Sequence, residues 1–308
     1  MQRIHFIAIG STTMHNLAIA VSKKNSFVVS GSDNEIEEPL KTRLKANGIL
    51  PDKTGWFPER ITKNLSAVIV GSNVDKDNCE LLKANELGLK IYSFPEFLFQ
   101  QTRSKTRIVV AGNAGKSITA AMIVFVLKQL RIDTDYLLST TYEGIENSVK
   151  LTYESRIAVF EGDENATSAL DDRPRFHLYK PQIAALIGID LPTDVNADTK
   201  EKLEVFSKFI DLMEVQGRLI YLNSDKQLCE MTQNLRRDIV PFGYSTANYK
   251  VVDGVYYINT KKSDLALLIE GEKNMQYLEA ARLACKQIGV TDEQFYNAVA
   301  KFSGKELV

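Results

Sequence analysis

Short apolar runs that end in glycine or a small polar residue, each followed by apolar positions at helical spacing, recur along this sequence. Ile4-His5-Phe6-Ile7-Ala8-Ile9-Gly10 is the first run, and Met14 to Lys23 follows with a helix-period pattern, so strand, turn and helix are predicted in that order. Phe27 to Asp33 reads as a second, buried strand ending in small and acidic residues, and Ala67-Val68-Ile69-Val70-Gly71-Ser72 as a third. Pro39 to Asn47 is predicted helical with Gly48 as its stop, Asn78 to Gly88 gives a further helix, and Lys90 to Ser93 a further strand. Strands and helices alternating at these lengths imply parallel strands joined by right-handed crossovers. Residues 1–100 therefore read as a small Rossmann-like domain.

The polar stretch Gln100 to Arg107 is the best boundary in the chain, and a second α/β domain is expected over 101–308. Thr106 to Ala111 is its first strand and Ser117 to Leu130 a strongly apolar helix. Arg156 to Phe160 and Ile183 to Ile187 are further central strands, each feeding a polar loop at its carboxyl end. In open α/β sheets that edge is where ligands bind. Phe242 to Leu268 alternates around Asp253-Gly254, a hairpin signal. Met275 to Gln287 and Asp292 to Phe302 are predicted as the closing helices.

Composition narrows the function. Lys plus Arg number 38 against 39 Asp plus Glu, with no long block of one sign, so the basic stripe that attracts nucleic acid is missing. No stretch approaches the ~20 apolar residues of a membrane helix, and Met1 to Ile9 lacks the apolar region of a signal peptide. A cytoplasmic protein without nucleic-acid or membrane partners is expected. Cys79, Cys229 and Cys285 are odd in number and far apart, which argues against disulfides or zinc and for buried free thiols.

Gly112-Asn113-Ala114-Gly115-Lys116-Ser117 lies between a predicted strand and a helix, the context of a phosphate site. Glycines let amides approach phosphate oxygens, the helix N-terminus adds partial positive charge, Lys116 a full one, and the Ser117 hydroxyl can ligate Mg²⁺. Val110 stands where the long motif has glycine, so this is the shorter GxxGK[ST] form. Glu161-Gly162-Asp163-Glu164 follows a strand directly; Glu164 is the preferred metal ligand, with a solvated acidic turn as the plain alternative. The first turn, Gly10-Ser11-Thr12-Thr13, keeps one glycine of the dinucleotide fingerprint, which argues against a nicotinamide-dependent oxidoreductase. Asp33 can accept from a ribose or a base, and His15 fits a structural role as readily as a functional one.

Gly10 with Met14-His15-Asn16-Leu17-Ala18, then Gly31-Ser32-Asp33, Gly55-Trp56-Phe57-Pro58, Tyr92 to Leu98, the phosphate loop, Glu161 to Glu164 and Asp171 to Pro181 together resemble, in order and spacing, the muramate-recognising branch of the Mur ligases. The resemblance implies an ATP-dependent, Mg²⁺-requiring ligase of peptidoglycan synthesis or recycling that phosphorylates the muramate carboxylate and then forms an amide. It places ATP at Gly112 to Ser117, Ile118 and Asn274, and UDP-N-acetylmuramate at Gly10, Ser11, Thr12, Thr13, His15, Asp33 and Ser72. Lys116 and Glu164 would be catalytic, with Ser117 and Glu164 on the metal.

Four departures follow. Ser11, Thr12 and Thr13 replace residues that let backbone approach a diphosphate; Asp190-Leu191-Pro192-Thr193-Asp194 puts Pro192-Thr193 where the family has Asp-His; Lys273 precedes Asn274 in place of histidine; and a third, closing domain is expected to be absent. Little or no ligase activity by this chain alone is the expectation, with a non-catalytic paralogue that holds nucleotide or a cell-wall precursor as the alternative.

Overall fold

The computed structural model describes all residues except 146, 169, 190, 192–196, 261–262 and 308, and of 197 and 198 only the backbone. Asp190, Pro192, Thr193 and Asp194, on which one of the family departures falls, therefore lie outside the described residues. The chain forms two compact units. Beyond the linear stretch Met1–Arg103, the first takes in Val149–Tyr153 and Asn165–Tyr179, and the rest makes the second.

The first unit is built on β1 (Gln2–Ile7), α1 (Thr12–Ser22), β2 (Phe27–Ser32), α2 (Leu40–Ala46), β3 (Ala67–Val70), α3 (Cys79–Glu86), β4 (Ile91–Ser93) and α4 (Phe94–Thr102). Its sheet runs β2-β1-β3-β4, with every neighbouring pair parallel. The apolar run of β3 is buried at all four positions, as expected for an inner parallel strand. β2 departs from the expected buried strand: it lies at the sheet edge, and Val28 and Ser30 are exposed. An edge strand has one flank without a covering neighbour, so only part of its run needs to be buried.

In the second unit, β5 (Thr106–Ala111), α5 (Lys116–Gln129), β6 (Thr134–Leu137), β7 (Ile157–Glu161), β8 (Ile183–Leu186), α6 (Ala197–Asp211), β9 (Arg218–Leu222), α7 (Lys226–Thr232) and β10 (Val240–Tyr244) follow in chain order. Parallel strands run β10-β9-β8-β5-β7-β6, which puts β5 and its loop at the middle of the sheet. α5 is buried continuously from Thr119 to Leu127, the behaviour of a helix apolar all round. β11 (Tyr249–Val252), β12 (Val255–Asn259) and β13 (Asp264–Ala266) form a small antiparallel sheet, and α8 (Glu272–Lys286) and α9 (Asp292–Val299) complete the unit.

The hairpin turns at Asp253-Gly254, where both residues have positive φ (50° and 81°), as a two-residue turn matched to strand twist requires. The alternating stretch read from Phe242 is divided, however: Phe242 to Tyr244 pair in parallel with β9 rather than joining the hairpin. All three cysteines are free, as expected, but only Cys285 is buried, which pushes its thiol upward; Cys79 is exposed and Cys229 half-buried. No helix among the described residues is long and apolar enough to cross a membrane.

Candidate functional site

The phosphate-type loop leaves β5 at Ala111 and enters α5 at Lys116. Gly112 has φ +137°, and a Cβ there would fall 2.6 Å from the Gly188 carbonyl oxygen, so glycine lets the loop run against the end of β8. Asn113 ties the two together: its backbone N–H donates to Gly188 O at 2.8 Å and its side-chain amide to Ile189 O. Gly115 is left-handed (φ +82°), and a Cβ on it would overlap the Tyr277 ring of α8. Because Gly115 caps α5 without a side-chain hydrogen bond, the first-turn amides are left for an anion.

Two carboxylates meet this loop. Ser117 Oγ donates to Glu161 Oε1 at 2.6 Å, and Glu161 Oε2 accepts from Ser139 N at 2.8 Å. Lys116 Nζ donates to Glu164 at 3.0 and 3.3 Å. Gly162, between the two carboxylates in sequence, lies close against β5: a Cβ there would press on Ala111 and Val109 at 3.0 and 3.1 Å. Glu164, the carboxylate preferred from the sequence as metal ligand, thus pairs with the lysine, while Glu161 stands at the hydroxyl. Mg²⁺ bound with phosphates needs only one or two protein oxygens, so the Ser117–Glu161 pair suits it. Among the described residues no group of three or more His, Cys, Asp or Glu could hold a metal on its own.

Ala114 lines a cavity of about 190 Å³ with Gly188, Ser224, Lys273, Gln276 and Tyr277. Ile118 is half-buried in the first turn of α5, and Asn274 donates its side-chain amide to Glu270 O at 2.7 Å. Tyr277 is the residue that sequence reasoning passed over, and Glu161 the one it set second to Glu164. Glu161 was visible as the carboxylate directly after a strand, but its place opposite Val110 depends on β7 pairing with β5.

In the first unit, Gly10, Asp33 and Ser72 follow β1, β2 and β3, and so lie along the carboxyl edge of one parallel sheet. Gly10 N donates to Asp33 Oδ2 at 2.8 Å, and a Cβ on Gly10 would meet that same oxygen at 2.8 Å and Glu35 O at 3.0 Å. Burial raises the Asp33 carboxyl, and the amides of Gly10, Glu35 and Asn34 oppose the rise. Ala8, two residues earlier, holds φ +68°, a backbone normally left to glycine.

Ser11 is the N-cap of α1 without a side-chain bond, Thr12 is exposed, Thr13 half-buried, and the first turn of α1 carries no acidic residue. His15 is fully buried, with Nδ1 3.3 Å from Ser11 O and Nε2 3.0 Å from Arg43 Nη1. Burial first, and the Arg43 guanidinium second, lower its pKa to about 4, so the ring is neutral and accepts from Arg43. Both its nitrogens are engaged within the protein, which sets it behind the turn. Ser72 Oγ is half-buried and donates to Asn73 Oδ1 at 3.2 Å.

A Rossmann-like unit and an α/β unit with a glycine-lysine-serine loop define the class: a two-unit α/β protein with a phosphate-type loop at a strand's carboxyl end. Comparison with known proteins narrows it. Residues 3–106 match the profile described as "Mur ligase family, catalytic domain". The UDP-N-acetylmuramate–L-alanine ligase of Carboxydothermus hydrogenoformans is 28% identical over 316 residues, covering 99% of this chain and 66% of the relative. That of Dictyoglomus turgidum is 30% identical over 320 residues, covering 98% and 65%. Among solved structures, a murein peptide ligase from Psychrobacter arcticus superposes with TM-score 0.85 at 21% identity, over 99% of this chain and 69% of that one. The chain is similar to the muramate-recognising Mur ligases and has the fold of their amino-terminal and central domains. It spans just under two thirds of the length of the curated relatives it matches.

Proposed function

We propose that this chain binds ATP with Mg²⁺ at Gly112 to Ser117 and serves Mur-ligase-type chemistry on UDP-N-acetylmuramate, which the carboxyl edge of the first unit would hold at Gly10 to Thr13, Asp33 and Ser72. In that chemistry the terminal phosphoryl group of ATP passes to the muramate carboxylate, and ADP leaves. An amine then attacks the acyl carbonyl carbon, forming the amide as phosphate leaves and the nitrogen loses its proton. Lys116 would offset charge on the phosphoryl oxygens, and Ser117 with Glu161 would hold Mg²⁺, which supplies further charge neutralisation there. The observation that carries the reading is the loop itself: uncapped amides, one ammonium and one hydroxyl–carboxylate pair at a strand's carboxyl end.

A second reading, a relative that holds nucleotide without forming an amide, is favoured by Pro192-Thr193 and Lys273 in place of the family's Asp-His and His. Titration calorimetry tests the shared part. ADP with Mg²⁺ is expected to bind the wild type and to lose most of its affinity in Lys116→Ala; no binding at millimolar nucleotide sinks both readings. Phosphate release that requires UDP-N-acetylmuramate and an amino acid or peptide then separates ligase from nucleotide holder.

A further inference from the structure

We infer that Glu164 is the internal counter-ion of Lys116, a carboxylate that competes with nucleotide phosphate for the ammonium and so sets how tightly the loop binds, rather than a ligand of the metal. The inference rests on the nucleotide reading above. Its first support is the division of labour at the loop: the hydroxyl expected to meet Mg²⁺ is on Glu161 at 2.6 Å, while Glu164 reaches Lys116 with both carboxylate oxygens. The second is the path of the chain, since Gly162, pressed on β5, lets residues 163–164 follow the loop instead of leaving it.

The third support is exposure, which decides which partner moves. Lys116 is 17% exposed and Glu164 38%, so an arriving phosphate keeps the lysine where it stands and releases the carboxylate toward solvent. A phosphate brings the same sign of charge as Glu164, and the two cannot share one ammonium without repulsion. Removing the carboxylate's charge should therefore favour the bound state.

The test is calorimetric titration of ADP, with and without Mg²⁺, into wild type, Glu164→Gln and Glu161→Gln. Glu164→Gln is expected to tighten ADP about two- to fivefold, the scale of a partly exposed ion pair, and to keep the Mg²⁺ enhancement. Glu161→Gln is expected to lose that enhancement. Weaker binding and a lost Mg²⁺ effect in Glu164→Gln would make Glu164 a metal ligand, and unchanged affinity would remove it as competitor; either overturns the inference.

A nucleotide-free measurement keeps the two readings apart. The acylation rate of Lys116 by an amine-reactive ester, followed by peptide mass spectrometry, should rise in Glu164→Gln, because the side chain is no longer tethered by two contacts to a carboxylate and reaches the reagent more freely. If wild type binds no nucleotide, the functional reading fails alone; an unchanged acylation rate refutes the pairing itself.

Discussion

His15 is the residue whose surroundings decide its chemistry most fully. Its ring is buried between Ser11 O and the Arg43 guanidinium, which lowers its pKa from 6.5 to about 4. An unfolded chain therefore binds a proton on this ring at a pH where the folded chain refuses it. Stability from this group is complete above about pH 6.5 and is lost as the pH falls toward 4, by about 2 kcal/mol between pH 7 and 5. Burial alone would raise Glu80, but His5, Ser32 and the Phe57 amide hold it below the usual carboxylate range, so it titrates beneath that window. Urea unfolding at pH 7 and 5 should show the loss in wild type and a flatter dependence in His15→Gln. Equal slopes in the two proteins would assign the pH dependence to other groups. The sequence left His15 open between two roles because the deciding partner, Arg43, is 28 residues away and reaches it only once α1 and α2 pack.

The helix stops at Gly48 and Gly88 were legible where strand environments were not, because a stop is a local event and burial is not. By contrast, α4 and its start at Ser93 were not read from the sequence. Ser93 and Glu96 close a capping box on α4: Ser93 Oγ accepts from Glu96 N at 3.4 Å, and Glu96 Oε2 accepts from Ser93 N at 3.0 Å. Ser93→Ala should cost about 1 kcal/mol, the usual value of a lost N-cap, seen as a lower urea midpoint at unchanged slope. No change in midpoint would mean that Pro95 and the packing of Phe94, Phe97 and Leu98 already fix this start. The strand-turn-helix of the phosphate loop could be read outright from Gly112 to Ser117 after an apolar run, since glycine spacing and periodicity are both local. Which carboxylate faces Ser117 could not, because that follows from β7 lying beside β5 rather than from order along the chain. The exposed flank of β2 and the transfer of Phe242 to Tyr244 to the parallel sheet were hidden for the same reason.

At the scale of the molecule, chain order and compact units part company, and this has a consequence for stability. Asn165–Tyr179 belongs to the first unit although it follows β5, α5, β6 and β7 of the second. There Arg173 pairs with Glu96 at 3.1 Å, the Arg175 guanidinium lies 5.4 Å from the centre of the Phe94 ring, and Phe176, Leu178 and Tyr179 are buried. Full burial of one large apolar side chain stabilises by about 1.5–3 kcal/mol, so losing Phe176 and Leu178 alone removes roughly 3–6 kcal/mol. A domain of this size has only about 5–15 kcal/mol in all. A fragment of residues 1–103 is therefore expected to be unfolded or loosely packed, with poor amide dispersion in NMR spectra and no cooperative melting. A synthetic peptide of residues 165–179 should sharpen those spectra when added, because it restores the missing apolar surface. Cooperative unfolding of the fragment alone, at a midpoint equal to that of the first unit in the intact chain, would show instead that these fifteen residues rest on a unit complete without them.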